Sequence, residues 1–351
     1  MIQGPSVGKI ERAISDRDPL PGTHGFAGRL PDGRLVRDVL GRYPLFVERT
    51  GENWAFSPTE LTDPISFPAG CVDNDRVWTL PNLSVYEYER IAVRTVKNAL
   101  CESVAEIDDE LAVAFSGGVD SAVVASELDG PCFVVGFEGS HDIESATESA
   151  RVMDLPLEII ECTHADIERA VPVVARETGR TNAMDVSIAL CLYLVAERAS
   201  ERGYDRLAVG QGADELFGGY EKVLRTDHRV AADSTRGATR EVITSLPDQL
   251  ERDVLAIRAA GVEPVAPILD DRVVSAALRL DGSMLATGNE RKRVFRMAAR
   301  GFVPREIAER KKKAAQYGSL IARELDRLAR QAGYKRRMED HVGTYIESLL
   351  D

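Results

Sequence analysis

Long apolar runs are missing from this chain. No stretch of about 18 consecutive apolar residues occurs, so no membrane-spanning helix is expected. The opening MIQGPSVGKIER has no apolar core of a secretory signal, and a soluble cytoplasmic protein is the expectation. Paired cysteines are missing too. The five present (Cys71, Cys101, Cys132, Cys162, Cys191) are odd in number and scattered, with no CxxC. That excludes a disulfide framework, a cysteine zinc site and a cysteine-held iron–sulfur cluster. Lysine is scarce: eight of 44 basic residues, the others arginine, under a net charge of −13. This balance argues against a general nucleic-acid binder. It suits a salt-rich cytoplasm, where exposed charges are screened within about 3 Å at 1 M salt. Internal repeats and low-complexity tracts are absent as well.

The 351 residues leave room for two domains. Residues 1–84 hold short apolar runs between Gly, Pro and Asp, as in GTHGFAGRL, YPLFVER and NWAFSP, and read as a small β-rich unit of hairpins. From Val85 the texture changes to helical spacing (Tyr88, Ile91, Ala92, Val96, Ala99, Leu100). Strands expected at 111–115, 132–137, 157–161 and 206–210 then alternate with helices near 143–153, 164–177 and 185–202. That alternation predicts an α/β fold, a parallel sheet with helices on both faces. Ligand would bind at the carboxyl ends of its strands. Beyond Tyr220 the chain reads as helical, over 238–260, 271–279, 289–300, 304–312 and 318–332, with an amphipathic tail at 333–351. The tail either folds onto its own core or forms a homodimer seam. Residues 85–351 are taken as the second domain.

Within it, LAVAFSGGVDSAVVASEL (111–128) reads as buried strand, tight turn and helix. Gly117 and Gly118 let the backbone approach a ligand closely. Ser116 and Ser121 add hydroxyls, and the amides of Val119 and its neighbours open a helix. Together they make an anion site for phosphate. Asp120 beside phosphates calls for a cation between them, and Mg²⁺ is the economical choice. The stretch has neither the spacing nor the lysine of GxxxxGK[ST], and it is not GxGxxG. A second Gly-rich stretch, GQGADELFGGY, follows the strand RLAVG. Gly210 and Gly212 allow close approach, and Asp214 and Glu215 can reach the same phosphates. Asp214 opposite Asp120 would bracket Mg²⁺. Taken alone, ADELF equally fits a helix start with Asp214 as its N-cap.

The SGGVDS hexapeptide resembles the pyrophosphate-binding loop of the N-type ATP pyrophosphatases. With GQGADELFGGY, the chain over about 85–325 resembles the synthetase domain of the asparagine synthetase family. GFEGSHDIESATESARVMDLP resembles that family's adenine-side segment, which points to Gly136 and Phe137 as nucleotide contacts. GVEPVAPILDDRVV sits at the family's Glu-x-Arg-x-Pro-Phe-Leu-Asp stretch. RKRVFRMAARGFVPREIAERKKKAAQYGS resembles the closing segment with its phosphate-contacting lysine. The resemblance implies ATP and Mg²⁺, metal on Asp120 and Asp214, Lys312 as the catalytic lysine, and Lys292 on the pyrophosphate side. The activity implied is AMP-forming amide synthesis through an acyl-adenylate, by default asparagine from aspartate and ammonia. Removing a charge such as Lys312 would cost roughly 3 kcal/mol or more of barrier. Without the resemblance, Lys311 to Lys313 would read as a solvated basic face.

The chain also departs from the pattern. The family's glutaminase needs Cys directly after the initiator Met, and here position 2 is Ile. VRDVLGRYPLFVE (36–48) and WAFSPTEL (54–61) nonetheless resemble the later part of that domain, as a remnant that covers the synthetase part. Ammonia would then come from solution or from a separate donor protein. At the acceptor side, Gln211 stands where asparagine synthetases have Glu and β-lactam synthetase has Tyr. A neutral amide orients a nucleophile but takes no proton at pH 7. Val265 stands where the family has Arg. Thr181 to Ser187 is the expected acceptor wall. The alternatives are adenylation of a tRNA or cofactor, and a nucleotide-binding scaffold without catalysis.

Overall fold

A computed structural model describes residues 1–107, 110–225, 232–288, 290–310 and 315–350. Five parallel strands form its central sheet: β1 (Ala112–Ala114), β2 (Cys132–Gly136), β3 (Leu157–Glu161), β4 (Arg206–Ala208) and β5 (Glu263–Val265). Their order is β3-β2-β1-β4-β5. The strands alternate apolar side chains between two cores. Val113, Phe115, Val134 and Ala208 enter one; Ala112, Phe133, Val135, Leu207 and Val209 enter the other. Helices cover both faces, as apolar residues on both sides of a parallel strand require. The order reverses at β1 and β4, whose carboxyl ends diverge into a crevice.

Helices α1 (Val119–Ala125), α2 (His141–Met153), α4 (Ala183–Glu201) and α5 (Leu246–Arg258) line that crevice, and α3 (His164–Thr178) packs against α4. The helix expected over 238–260 is broken. One helix runs Thr235–Thr244, Ser245 intervenes, and α5 starts with Pro247 in its first turn. Proline's missing N–H is harmless there but would have interrupted a continuous helix. β5 lies between the helices expected at 238–260 and 271–279, where no strand was foreseen. It is an edge strand three residues long, and Pro264 is tolerated because an edge leaves one row of donors unused.

The tail folds onto its own chain. Helix His341–Ser348 buries Val342, Tyr345 and Ile346 in the core beneath α3 and α4, alongside Ile321 and Leu325. Its apolar face is therefore consumed internally, which removes it as a homodimer seam. Among the described residues no helix is long and apolar enough to cross a membrane.

Residues before 84 form two small antiparallel sheets and a helix, Val7–Ser15, that the hairpin reading did not foresee. Ile10, Phe26, Val36, Val72 and Trp78 make a core between helix and sheet, with Phe26 edge-on to Trp78 at 5.5 Å. The glutaminase-like stretch 36–48 docks this unit onto the rest. Buried Arg42 donates to Asp38 at 2.9 Å, Asp271 at 2.7 Å and the Leu269 carbonyl at 2.7 Å. Burial alone would lower the Arg42 pKa, but the carboxylates of Asp271 and Asp38 outweigh it and hold it above the usual value. Arg37 likewise reaches the Phe67 carbonyl at 2.7 Å and Glu251 at 3.4 Å.

Replacing Arg42 with Met strands two buried carboxylates and should cost about 3–5 kcal/mol. The exposed Arg49–Asp63 pair should cost under ~1 kcal/mol when broken by Arg49→Met. Urea unfolding midpoints of the two variants check this; equal losses would contradict it.

Candidate active site

Both Gly-rich stretches lie at the switch point, one after β1 and one after β4. In the first, Ser121 Oγ accepts from the Ser116 amide at 3.3 Å and donates to the Gly118 carbonyl at 3.2 Å, closing the turn. Gly117 has φ 70°, and a Cβ there would run into the backbone of Ser145 on α2. Ser149 on the same helix donates to the Gly117 carbonyl at 2.8 Å, and Arg310 donates to Ser149 at 2.9 Å. The turn is thus braced from outside. In the second, Gly210 packs so closely on α1 that a Cβ would stand 2.8 Å from the Ser121 nitrogen. Gly212 abuts Leu269, the residue whose carbonyl Arg42 holds.

A cavity of about 1200 Å³ opens between the loops. Of the residues expected at the site, Ser116, Val119, Asp120, Ser121, Gly210, Gln211, Asp214, Glu215 and Lys292 line it. Gly117, Gly118 and Gly212 shape the wall from behind. Gly136 and Phe137 end β2 beside it, where the Phe137 amide donates to the Ser319 carbonyl at 3.0 Å. Lys312 lies outside the described residues. The chain on either side is tied to the site. Arg296 holds the carbonyls of Ala308 and Arg310 at 2.7 and 2.9 Å, and Ser319 lines the cavity.

Asp120 and Asp214 do converge on one cation, and that cation is Lys292. Its Nζ lies 2.8 Å from each oxygen of Asp120 and 2.7 Å from Asp214 Oδ1. Burial would lower its pKa, but the two carboxylates reverse that and raise it, so it stays charged. Two carboxylates from different loops around one cationic point are the donor set of a divalent ion held with phosphate oxygens. The residues fit Mg²⁺. Gly219 is what permits the arrangement: a Cβ there would meet Lys292 Cε at 2.6 Å and the Asp214 backbone at 2.7 Å.

Glu215 is buried behind Asp214 and accepts from the Tyr220 hydroxyl. Burial, then the Asp214 charge, raises its pKa. At the other end of the cavity Gln211 donates to Asp253 at 2.6 Å. Asp253 accepts from Arg252 at 2.7 Å, Arg252 donates to Asp185 at 2.6 Å, and Arg180 reaches Asp185 at 3.1 Å. Asp185 belongs to the expected 181–187 wall. Asp253 and Arg252 escaped sequence reasoning, because on α5 they read as charges of a solvated helix face, yet both are only 6% exposed. Burial pushes the cavity's one cysteine, Cys191, up to about 12, so it is no thiolate nucleophile.

The family model described as Asparagine synthase matches residues 95–241 and 226–346. The chain belongs to the asparagine synthase family. Among its relatives, a Methanocaldococcus jannaschii protein named "Putative asparagine synthetase (glutamine-hydrolyzing) 1" is 29% identical over 73% of this chain and 53% of its own length. Asparagine synthetase B (glutamine-hydrolyzing) of Escherichia coli is 24% identical over 84% of this chain and 60% of its own. The chain thus spans only a little over half the length of these family members. Among solved structures, NMN synthetase from Francisella tularensis is a remote likeness, at 13% identity and TM-score 0.34 over 76% of this chain and 94% of that one.

Gly219→Ala should cost about 1–3 kcal/mol, since Lys292 or the Asp214 backbone has to give way. Gly8→Ala, whose Cβ meets nothing within 4 Å, should be neutral or slightly stabilising. Unfolding curves that superimpose for the two variants would contradict the packing at Gly219.

Proposed function

We propose that the chain is an ATP-dependent amide synthetase that forms AMP and pyrophosphate, with asparagine synthesis from aspartate and ammonia as its default reaction. The observation that carries this reading is the meeting of Asp120 and Asp214 on one cation position, in a cavity shared by both switch-point loops. Family membership supports the ATP half. The finer chemistry is assigned from the residues.

Ser116, Gly117, Gly118, Val119 and Ser121 would cradle the pyrophosphate portion of ATP, with Gly136, Phe137, Gly210 and Gly212 shaping its bed. Asp120 and Asp214 would hold Mg²⁺, which supplies charge neutralisation on the leaving pyrophosphate. The acceptor carboxylate attacks the α-phosphorus, the α–β anhydride bond breaks, and pyrophosphate leaves. Lys312 would supply a positive charge where negative charge builds up on the α-phosphate. Ammonia then attacks the acyl carbon, AMP leaves with the bonding pair, and the proton shed by the nitrogen passes to the leaving phosphate or to water.

Gln211, held by its amide nitrogen on Asp253, has its carbonyl left to accept an N–H of the nucleophile. It takes no proton, so ammonia has to arrive neutral. Glu215 is a neighbour of the phosphate site whose raised pKa and bond to Tyr220 suit it to holding the second loop in shape. Ammonia comes from solution or a separate donor protein, and the acidic, lysine-poor surface suits a salty cytoplasm.

With ATP, Mg²⁺ and ammonium in high salt, the purified chain should convert aspartate to asparagine with one AMP per product. Lys312→Ala should slow this by roughly 100-fold or more. Amino-acid analysis of the reaction checks both. ATP turnover that is indifferent to aspartate would overturn the default acceptor, and an unimpaired Lys312→Ala would overturn the role of that lysine.

A further inference from the structure

Lys292 stands between two arginines in the sequence, at the opening of helix Arg293–Ala299, yet it is only 5% exposed. Its ammonium fills the gap between the two loops, within 2.8 Å of Asp120 and 2.7 Å of Asp214. We propose that Lys292 is a positioning residue that reserves this cation position, so that a divalent ion enters only together with a polyphosphate that draws the ammonium away. The inference rests on the ATP site proposed above.

Three physical points carry it. Magnesium binds carboxylate oxygens at about 2.0–2.1 Å, so ion and ammonium cannot share the gap. Two carboxylates and one ammonium sum to a single negative charge. A divalent ion added beside the ammonium turns that into a net positive charge around a buried lysine, with the Arg296 guanidinium close by, and the site resists it. A polyphosphate reverses the sum and gives the ammonium a new partner.

The third point is confinement. Gly219 lies against Lys292 Cε, where even a methyl group would come within 2.6 Å. The Lys292 backbone is itself in the left-handed region at φ 57°. The open side is the cavity, which Lys292 lines together with Ser116, Ser121 and Arg296. The ammonium can therefore withdraw into the cavity, toward the braced turn after β1, where a polyphosphate would lie. Metal and nucleotide should consequently bind with strong mutual dependence, and Lys292 should hold the two loops in register until they do.

Manganese is the probe, followed by the electron paramagnetic resonance signal of the free ion with the full-length chain. The wild-type chain should bind Mn²⁺ alone weakly. It should bind at least roughly tenfold more tightly with α,β-methylene ATP, after correction for ion held by the analogue in solution. Lys292→Met should bind Mn²⁺ alone roughly tenfold more tightly than wild type. The double variant Asp120→Asn, Lys292→Met should lose that gain, which assigns the ion to this gap. The wild-type titration decides the matter even if Lys292→Met does not fold, which circular dichroism reports. Equal wild-type affinity with and without analogue would overturn the proposal, as would a folded Lys292→Met that binds no better. Failure of the analogue to bind at all would overturn the ATP reading, and this inference with it.

Discussion

Two carboxylates brought together at one point of a crevice repel each other unless a positive charge lies between them. Much of this structure can be understood as meeting that requirement. Asp120 comes from the loop after β1 and Asp214 from the loop after β4, neighbouring strands whose loops part in the crevice. Lys292, 172 residues from Asp120, closes the gap. The backbone glycines then follow: Gly210 so that the second loop can lie on the first, Gly219 so that the lysine stem can pass. Remove the cation and both loops lose their reason to meet. Under the proposed reading, a divalent ion in its place would make the same geometry a phosphate-activating site.

The N-terminal unit serves this geometry at one remove. Arg42 clamps the Leu269 carbonyl and Asp271, and Leu269 is the floor on which Gly212 rests. A segment that resembles part of a glutaminase thus acts as a brace for the loop carrying Asp214. Its energetic contribution lies in the buried ion pairs of Arg42, which cost most when one partner is removed. Arg310, Ser149 and Gly117 brace the other loop in the same indirect way. Each site loop is held from behind by an arginine bonded to residues packed against it rather than to the loop itself.

Much of this was legible beforehand, for identifiable reasons. Strands β1 to β4 and their helices follow from apolar runs bounded by turn residues, and both site loops follow from Gly-rich stretches directly after strands. β5 was not legible, because three residues with a proline carry no periodic signal. Nor was the break at Ser245, since residues on both sides of it keep helical spacing. Asp120 and Asp214 could be paired from their settings, but the identity of the cation between them could not. Resemblance placed Lys292 on the pyrophosphate side, but nothing in RKR marks it as the cation between the two aspartates. The ladder Gln211–Asp253–Arg252–Asp185 joins three separated segments, so no local pattern marks it. The apolar face of the tail was visible, whereas what it packs against is a tertiary fact.

We infer that the switch-point cavity breaks ATP between its α- and β-phosphates, using the cation position shared by Asp120 and Asp214. Phosphorus-31 NMR of ATP turnover tests it most directly, because it reports which anhydride bond is cut. The account predicts that AMP and pyrophosphate appear together in equal amounts, and that both vanish in Asp120→Asn and in Asp214→Asn. ADP and inorganic phosphate as the products, or unchanged AMP formation in both variants, would contradict it.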